Sequence, residues 1–213
     1  MTQASQQGAS DGVLVRIFLE TERLLLRYAV EADADDLYRL NSDPEVMRYL
    51  TAKPATRASI ETEVLPRFLV GPDGAEPRTW IAVEKASGAF LGGFALETPD
   101  DGPSDEGELG YRLRPAAWGR GYASEGARAV IAKGFTAFGL NRIWGQTMAV
   151  NLGSRRVMEK AGLTYVRTFH LEWDDPLEGT VHGEVEYAVT RAEWLGTDDR
   201  GALPGGGPGG IRA

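Results

Sequence analysis

Two glycine-bearing stretches carry the residue types from which chemistry can be built. One is Trp118-Gly119-Arg120-Gly121-Tyr122-Ala123; the other is Asn151-Leu152-Gly153-Ser154, closed by Glu159-Lys160-Ala161-Gly162-Leu163. Glycines without a Cβ let a backbone approach phosphate oxygens closely, and free N–H groups at a following helix start converge on an anion. Arg120 adds a fixed positive charge, and Ser124 extends the same run into the helix. The second stretch places polar side chains, Asn151 and Ser154, at another helix start. Together they can hold a phosphorylated cofactor and set a polar group beside its reactive end.

The elements around them fit that use. Glu108-Leu109-Gly110-Tyr111-Arg112-Leu113 alternates apolar and polar residues as a strand does, and Pro115 ends it. Beyond the loop, Ala123, Ala127, Val130, Ile131, Gly134 and Phe138 mark one face of an amphipathic helix. A dinucleotide fold needs a fully apolar first strand and an acid at the end of the next one. Here the strand alternates, and Arg142-Ile143-Trp144-Gly145-Gln146-Thr147 ends without an acid. A nucleotide-hydrolase loop needs Gly-Lys-Ser/Thr, which is absent. A plain chain turn accounts for the glycines alone, but not for the second motif. There Asn151 is an N-cap candidate and Gly162 a C′ residue.

Further from the loop, strands are expected at 22–28, 142–147, 165–169 and 184–190, with a hairpin at 79–84 and 90–96 around Ala86-Ser87-Gly88. Helices are expected at 33–41 and, more loosely, 57–70, broken by Gly71-Pro72-Asp73-Gly74. The division is a flexible segment 1–12, a single domain 13–195 and a Gly/Pro-rich flexible tail 196–213. At 213 residues the domain has a substantial core. Without cysteine, disulfides, thiolate metal sites and a cysteine nucleophile are excluded; His170 and His182 stand without a ligand pattern, so no metal is expected. A net charge of −8 disfavours nonspecific nucleic-acid binding. The polar N-terminus does not read as a signal peptide, and no stretch approaches the roughly 20 apolar residues of a membrane span.

These residues resemble the GNAT superfamily of acetyl-CoA-dependent N-acetyltransferases. The 118–123 run is similar to its pyrophosphate loop, and 151–162 to its second cofactor motif, Asn-x-x-Ser-x-x-Val-x-Glu-Lys-x-Gly. Glu20-Thr21-Glu22-Arg23-Leu24-Leu25-Leu26-Arg27 and Ser42-Asp43-Pro44-Glu45-Val46-Met47-Arg48-Tyr49-Leu50 are similar to the branch containing ribosomal-protein alanine N-acetyltransferases. So is Glu186-Tyr187-Ala188-Val189-Thr190 followed by Trp194. The resemblance runs colinearly over 18–195. It implies an α+β fold: a mixed, mostly antiparallel central sheet, splayed at the cofactor strand and flanked by helices on both faces. It implies a cytoplasmic enzyme with acetyl-CoA as co-substrate and a primary amine as acceptor, either a protein N-terminal amino group or a small cationic amine. A homodimer is left open.

Within that resemblance the site is assigned as follows. The strand edge at Tyr111, Arg112 and Leu113 pairs its backbone with the pantetheine arm and polarises the thioester oxygen. Trp118 to Ser124 hold the pyrophosphate, Asn151 caps a helix and touches the cofactor, and Arg156 (rather than Arg155) reaches the 3′-phosphate. The family's leaving-group tyrosine maps to Met158, whose thioether has no proton to give. Ser154, one turn earlier, is the substitute acid. Met158 also keeps open the alternative of a noncatalytic acyl-CoA-binding or regulatory domain. The base is Glu108, with Glu184 as second choice and Glu106 third. Two acidic loops, with Asp100, Asp101, Asp105 and Glu106 in one and Glu172, Asp174, Asp175 and Glu178 in the other, are expected to draw a cationic acceptor into a cleft shaped by Trp80 and Trp173.

Overall fold

Alternating short strands build one eight-stranded sheet in the order β1-β2-β3-β4-β5-β6-β8-β7. The strands are β1 (Ile17–Glu20), β2 (Leu24–Arg27), β3 (Thr79–Glu84), β4 (Phe90–Glu97), β5 (Glu106–Leu113), β6 (Arg142–Met148), β7 (Thr164–Phe169) and β8 (Glu184–Thr190). The computed structural model describes residues 15–51, 53–70, 77–98, 102–173 and 175–201. Every neighbouring pair is antiparallel except β5 with β6, which run parallel through the crossover helix α5 (Tyr122–Thr136). The expected mixed, mostly antiparallel sheet is the one observed.

Helices cover both faces. α1 (Ala34–Ser42) and α2 (Pro44–Met47) precede α3 (Arg57–Ser59), a π-helical turn Ile60–Val64 and α4 (Leu65–Leu69). Leu37, Ile60 and Leu65 pack against Ile81 on that side. On the other face α5 lays Ala127, Val130, Ile131 and Phe135 onto the main core with Trp80, Phe94 and Leu96. Gly126 lets the helix come close, since a Cβ there would lie 2.3 Å from the Phe94 ring. α6 (Leu152–Lys160) packs beside α5, and α7 (Arg191–Gly201) returns along β8, with Trp194 5.5 Å from the Phe135 ring.

Three details differ from the sequence expectations. Strand β1 and helix α2 were not foreseen; each is four residues long, too short to show a period. A start signal for α2 is nonetheless present, because the Asp43 side chain accepts from Glu45 N–H at 2.9 Å and Pro44 follows at N1. α7 continues through Gly196 to Gly201, past the boundary set for the tail. Segment 1–14, the 71–74 breaker and residues 202–213 lie outside the described residues. Among the described residues no helix is long and apolar enough to cross a membrane.

Candidate active site

β5 and β6 pair only at Glu106–Arg142, Gly107–Ile143 and Glu108–Trp144, although β5 continues to Leu113 and β6 to Met148. Past Glu108 the strands part, leaving the β6-facing edge of Tyr111, Arg112 and Leu113 without a ladder partner. A cleft of about 970 Å³ opens there. It runs from the loop before α5 through the splay to α1, α2 and α4.

At one end lies the glycine loop. Trp118 donates its indole N–H to the Leu113 carbonyl at 2.7 Å, folding the loop back on β5. Gly119 and Gly121 sit at φ 70° and 84°, in the left-handed region that admits glycine without strain. Glu125 N–H is the first to bond back along α5, to Gly121 O at 3.0 Å. The N–H groups of Tyr122, Ala123 and Ser124 are therefore the orphan donors of the first turn. The helix dipole adds positive potential where they converge. Trp118, Gly119, Gly121, Ala123 and Ser124 all line the cleft.

The side chains of Arg120 and Tyr122 do not. Arg120 turns to Glu84 at 3.3 Å, and the Tyr122 hydroxyl donates to the same carboxylate. Glu84 thus holds both side chains on the outer side of the loop, while the backbone of the loop faces the cleft. Arg23 and Glu125, which sequence reasoning passed over, fix the loop. Arg23 donates to the Arg120 carbonyl at 2.8 Å and to Glu125 at 2.7 Å, and Thr21 donates to Glu125 at 2.6 Å. Burial opposes ionisation of Glu125, but these donors together hold its carboxyl below the ordinary range. An acid in a helix's first turn was the available signal.

On the α6 side, Asn151 caps the helix through Ser154 N–H at 3.1 Å and anchors to Thr147 at 3.0 Å. Gly162 follows the helix at φ 97°, as expected of C′. Met158 is 1% exposed and sits behind Gly145, a core side chain with no reacting atom. A second hydroxyl reaches α6 from β5. The Tyr111 phenol donates to the Ser154 carbonyl at 2.9 Å and lies 2.9 Å from the Ser154 hydroxyl. Burial pushes the phenol up to about 12, an effect the Ser154 bond partly offsets, so it stays protonated through the working range. Sequence reasoning assigned Tyr111 a backbone role alone; its odd position in β5, facing α6, was the missed signal. Arg156 lines the cleft, joined four residues on by Lys160, which was also missed. Arg155 is used structurally, by the Tyr187 hydroxyl at 3.2 Å and the Ala149 carbonyl at 3.0 Å.

The far end of the cleft holds Glu108. Burial raises its carboxyl above the ordinary value, the neighbouring Glu97 charge adds to this, and a hydrogen bond with Gln146 partly offsets it. Glu184 is misplaced as a base. It is 3% exposed, does not line the cleft, and accepts from Trp173 at 2.9 Å and Leu171 N–H at 3.1 Å. Glu106 is tied to Arg142 at 2.6 Å. The described acids of the two loops also miss the cleft wall. Asp105 accepts from Asn141, Asp175 pairs with Lys53 at 3.1 Å and Glu178 with Arg48 at 3.2 Å; Glu172 does not line the cleft, and Asp100, Asp101 and Asp174 lie outside the described residues. Among the described residues the carboxylates on the wall are Glu45, Glu63, Glu97 and Glu108. Trp80 is fully buried, stacked on Phe18 at 4.0 Å in the core, and Trp173 is spent on Glu184. Among the described residues no cluster of three His, Cys, Asp or Glu is placed to hold a metal.

Comparison with known proteins converges on one assignment. The family described as acetyltransferase (GNAT) domain matches residues 23–164. The FsC-acetyl coenzyme A-N(2)-transacetylase of Aspergillus fumigatus is 37% identical over 186 residues, spanning 83% of this chain and 77% of that protein. Spermidine N-acetyltransferase from Vibrio cholerae, solved with CoA and spermine, superposes with a TM-score of 0.69 at 18% identity, over 82% of this chain and 99% of its own. Aminoglycoside acetyltransferase AAC(6')-Ib, solved with coenzyme A, gives 0.64 at 19% identity, over 82% and 99%. At these identities the two structures speak for the fold.

Proposed function

The chain belongs to the acetyltransferase (GNAT) family, an acetyl-CoA-dependent N-acetyltransferase, and from that premise we propose that its acceptor is a small primary amine entering from the α1/α2 side of the cleft. The premise sets aside the noncatalytic alternative that rested on Met158. The observation that carries the proposal is Glu108, a carboxylate with a raised pKa in the same cleft as the anion-binding loop, on the strand whose edge is left free. The N–H groups of Tyr122 to Ser124 hold the pyrophosphate, with Arg156 and Lys160 nearby for the remaining phosphate. The free edge of β5 lines up the pantetheine arm and directs a backbone N–H at the thioester oxygen, where negative charge develops.

Reaction then needs one bond made and one broken. The amine nitrogen bonds to the thioester carbon, its proton passes to Glu108 directly or through a water, and the carbon–sulfur bond breaks as the oxyanion collapses. Ser154, oriented by the Tyr111 phenol 2.9 Å away, gives the departing thiolate a proton, and the proton taken up by Glu108 returns to Ser154 through solvent before the next turnover. The spermidine and aminoglycoside acetyltransferases of like fold, and the N(2)-transacetylase, support a small acceptor over a protein N-terminus. Thiol release from acetyl-CoA tests this against polyamines, aminoglycosides, amino-acid derivatives and a peptide with a free N-terminus. Turnover of the small amines at least tenfold above the peptide is expected, and the reverse order would return the acceptor to protein N-termini.

A further inference from the structure

Arg112 is a cation that the chemistry above does not use. Its backbone belongs to the cofactor strand, but its side chain crosses to the α1 face, opposite the face where Tyr111 meets α6. There its guanidinium donates to Asn41 Oδ1, and Asn41 is turned for this purpose by its own amide, which donates to Leu37 O at 2.7 Å. Among the described residues no carboxylate lies within ion-pair reach of Arg112, and its Nε is buried without a hydrogen-bond partner. A guanidinium stays charged at any working pH, and a mostly buried one held by a neutral amide oxygen without a counter-charge is costly until a ligand supplies one.

Its surroundings describe that ligand. Glu108, Gly110 and Arg112 share one face of β5, and Glu97, Ala95 and Gly93 stand across from them on β4. The result is a floor of small residues, with a carboxylate pair at one end and a guanidinium at the other. The two ends are about 13 Å apart along the backbone, and both line the cleft. The phosphate-holding groups, by contrast, belong to the loop before α5 and to α6, on the other face. Resting on the reading of an amine acceptor, we propose that Arg112, positioned by Asn41, forms a subsite for a carbonyl or carboxylate oxygen at the end of the acceptor away from its reacting amine. The acceptor is therefore derived from an amino acid. A polyamine would set a second cation against Arg112; an amino-acid ester, amide or carboxylate sets an oxygen there, which the planar fork engages with two parallel N–H donors.

The test uses matched acceptors on the full chain: lysine, its amide and its methyl ester against cadaverine, which lacks only the carboxyl carbon and its oxygens. Wild-type kcat/KM is expected to favour the carbonyl-bearing members by about ten- to a hundredfold. Arg112→Gln should collapse that ratio toward one, and Arg112→Lys, which keeps charge but not the fork, should leave an intermediate ratio and covers the case in which the glutamine variant fails to fold. A wild-type ratio near one, with cadaverine still turned over, overturns this subsite and spares the amine reading. Absence of thiol release with every amine overturns both. A tenfold loss of acetyl-CoA affinity in Arg112→Gln with an unchanged ratio gives the side chain to the co-substrate and likewise overturns the subsite.

Discussion

Replacing Gly121 by valine isolates what the glycine loop contributes. Gly121 sits at φ 84°, and an added Cβ would stand 3.3 Å from Arg23 Nη2. Valine's methyl groups extend beyond Cβ and displace the guanidinium that clamps Glu125 and the Arg120 carbonyl. Holding an L-residue in this conformation costs about 1–2 kcal/mol. If the loop relaxes instead, the N–H groups of Tyr122 to Ser124 no longer converge. A hydrogen bond to a charged group is worth about 1.5–3 kcal/mol, so losing two removes about 3–6 kcal/mol of binding. That corresponds to a Kd for CoA higher by roughly two to four orders of magnitude. Gly139→Val is the control. It has the same left-handed backbone at φ 70° with no atom within 4 Å, and it follows the far end of α5. Both variants should lose about 2–8 °C in Tm, while only Gly121→Val loses CoA in titration calorimetry. A folded Gly121→Val protein with Kd within about threefold of wild type, or equal loss in both variants, would refute the reasoning.

Other outcomes follow from the site. Ser154→Ala should lower the single-turnover rate by roughly one to three orders of magnitude, and Tyr111→Phe by a similar factor. The double variant should be no worse than the single ones, because the two hydroxyls act as one chain; additive losses in a double-mutant cycle would separate them. Glu108→Gln should lower kcat/KM by about 10²- to 10⁴-fold and remove the acid limb of its pH profile. Glu97→Gln should move that limb to lower pH, since removing a like charge eases ionisation of Glu108. Because the folded pKa of Glu108 is raised, its stability contribution is present below the unfolded carboxylate value and lost as pH rises through the folded one. Thermal melts should accordingly find Glu108→Gln more stable than wild type at pH 8 but equal to it near pH 4. Arg156→Ala with Lys160→Ala should weaken CoA more than 3′-dephospho-CoA; equal loss for both would place those cations elsewhere.

Local signals carried much of this molecule. Period-two alternation marked β5, the glycine pair marked the turn into α5, and Asn151 with Gly162 bracketed α6, because each is decided by a few adjacent residues and their own backbone preferences. The glycine turn into a helix start was legible for the same reason. What sequence spacing could not give was which groups meet across elements. Arg120 and Tyr122 are expected at the cofactor by their position in the loop, and no spacing shows that Glu84 from β3 meets both side chains. Glu184 lies on a strand near the cleft, but its oxygens are turned toward Trp173 and Leu171. The acidic loops have the composition of a funnel, yet Asp175, Glu178 and Glu106 are paired with Lys53, Arg48 and Arg142. Met158 stands where the leaving-group acid is expected, and only the fold shows that Tyr111 meets Ser154 from 43 residues away. A side chain's reach is a few ångströms and its partner is chosen by the packing of distant segments. Local sequence therefore determined the elements and the loop, and tertiary structure alone decided which charged and hydroxyl groups stand free in the cleft.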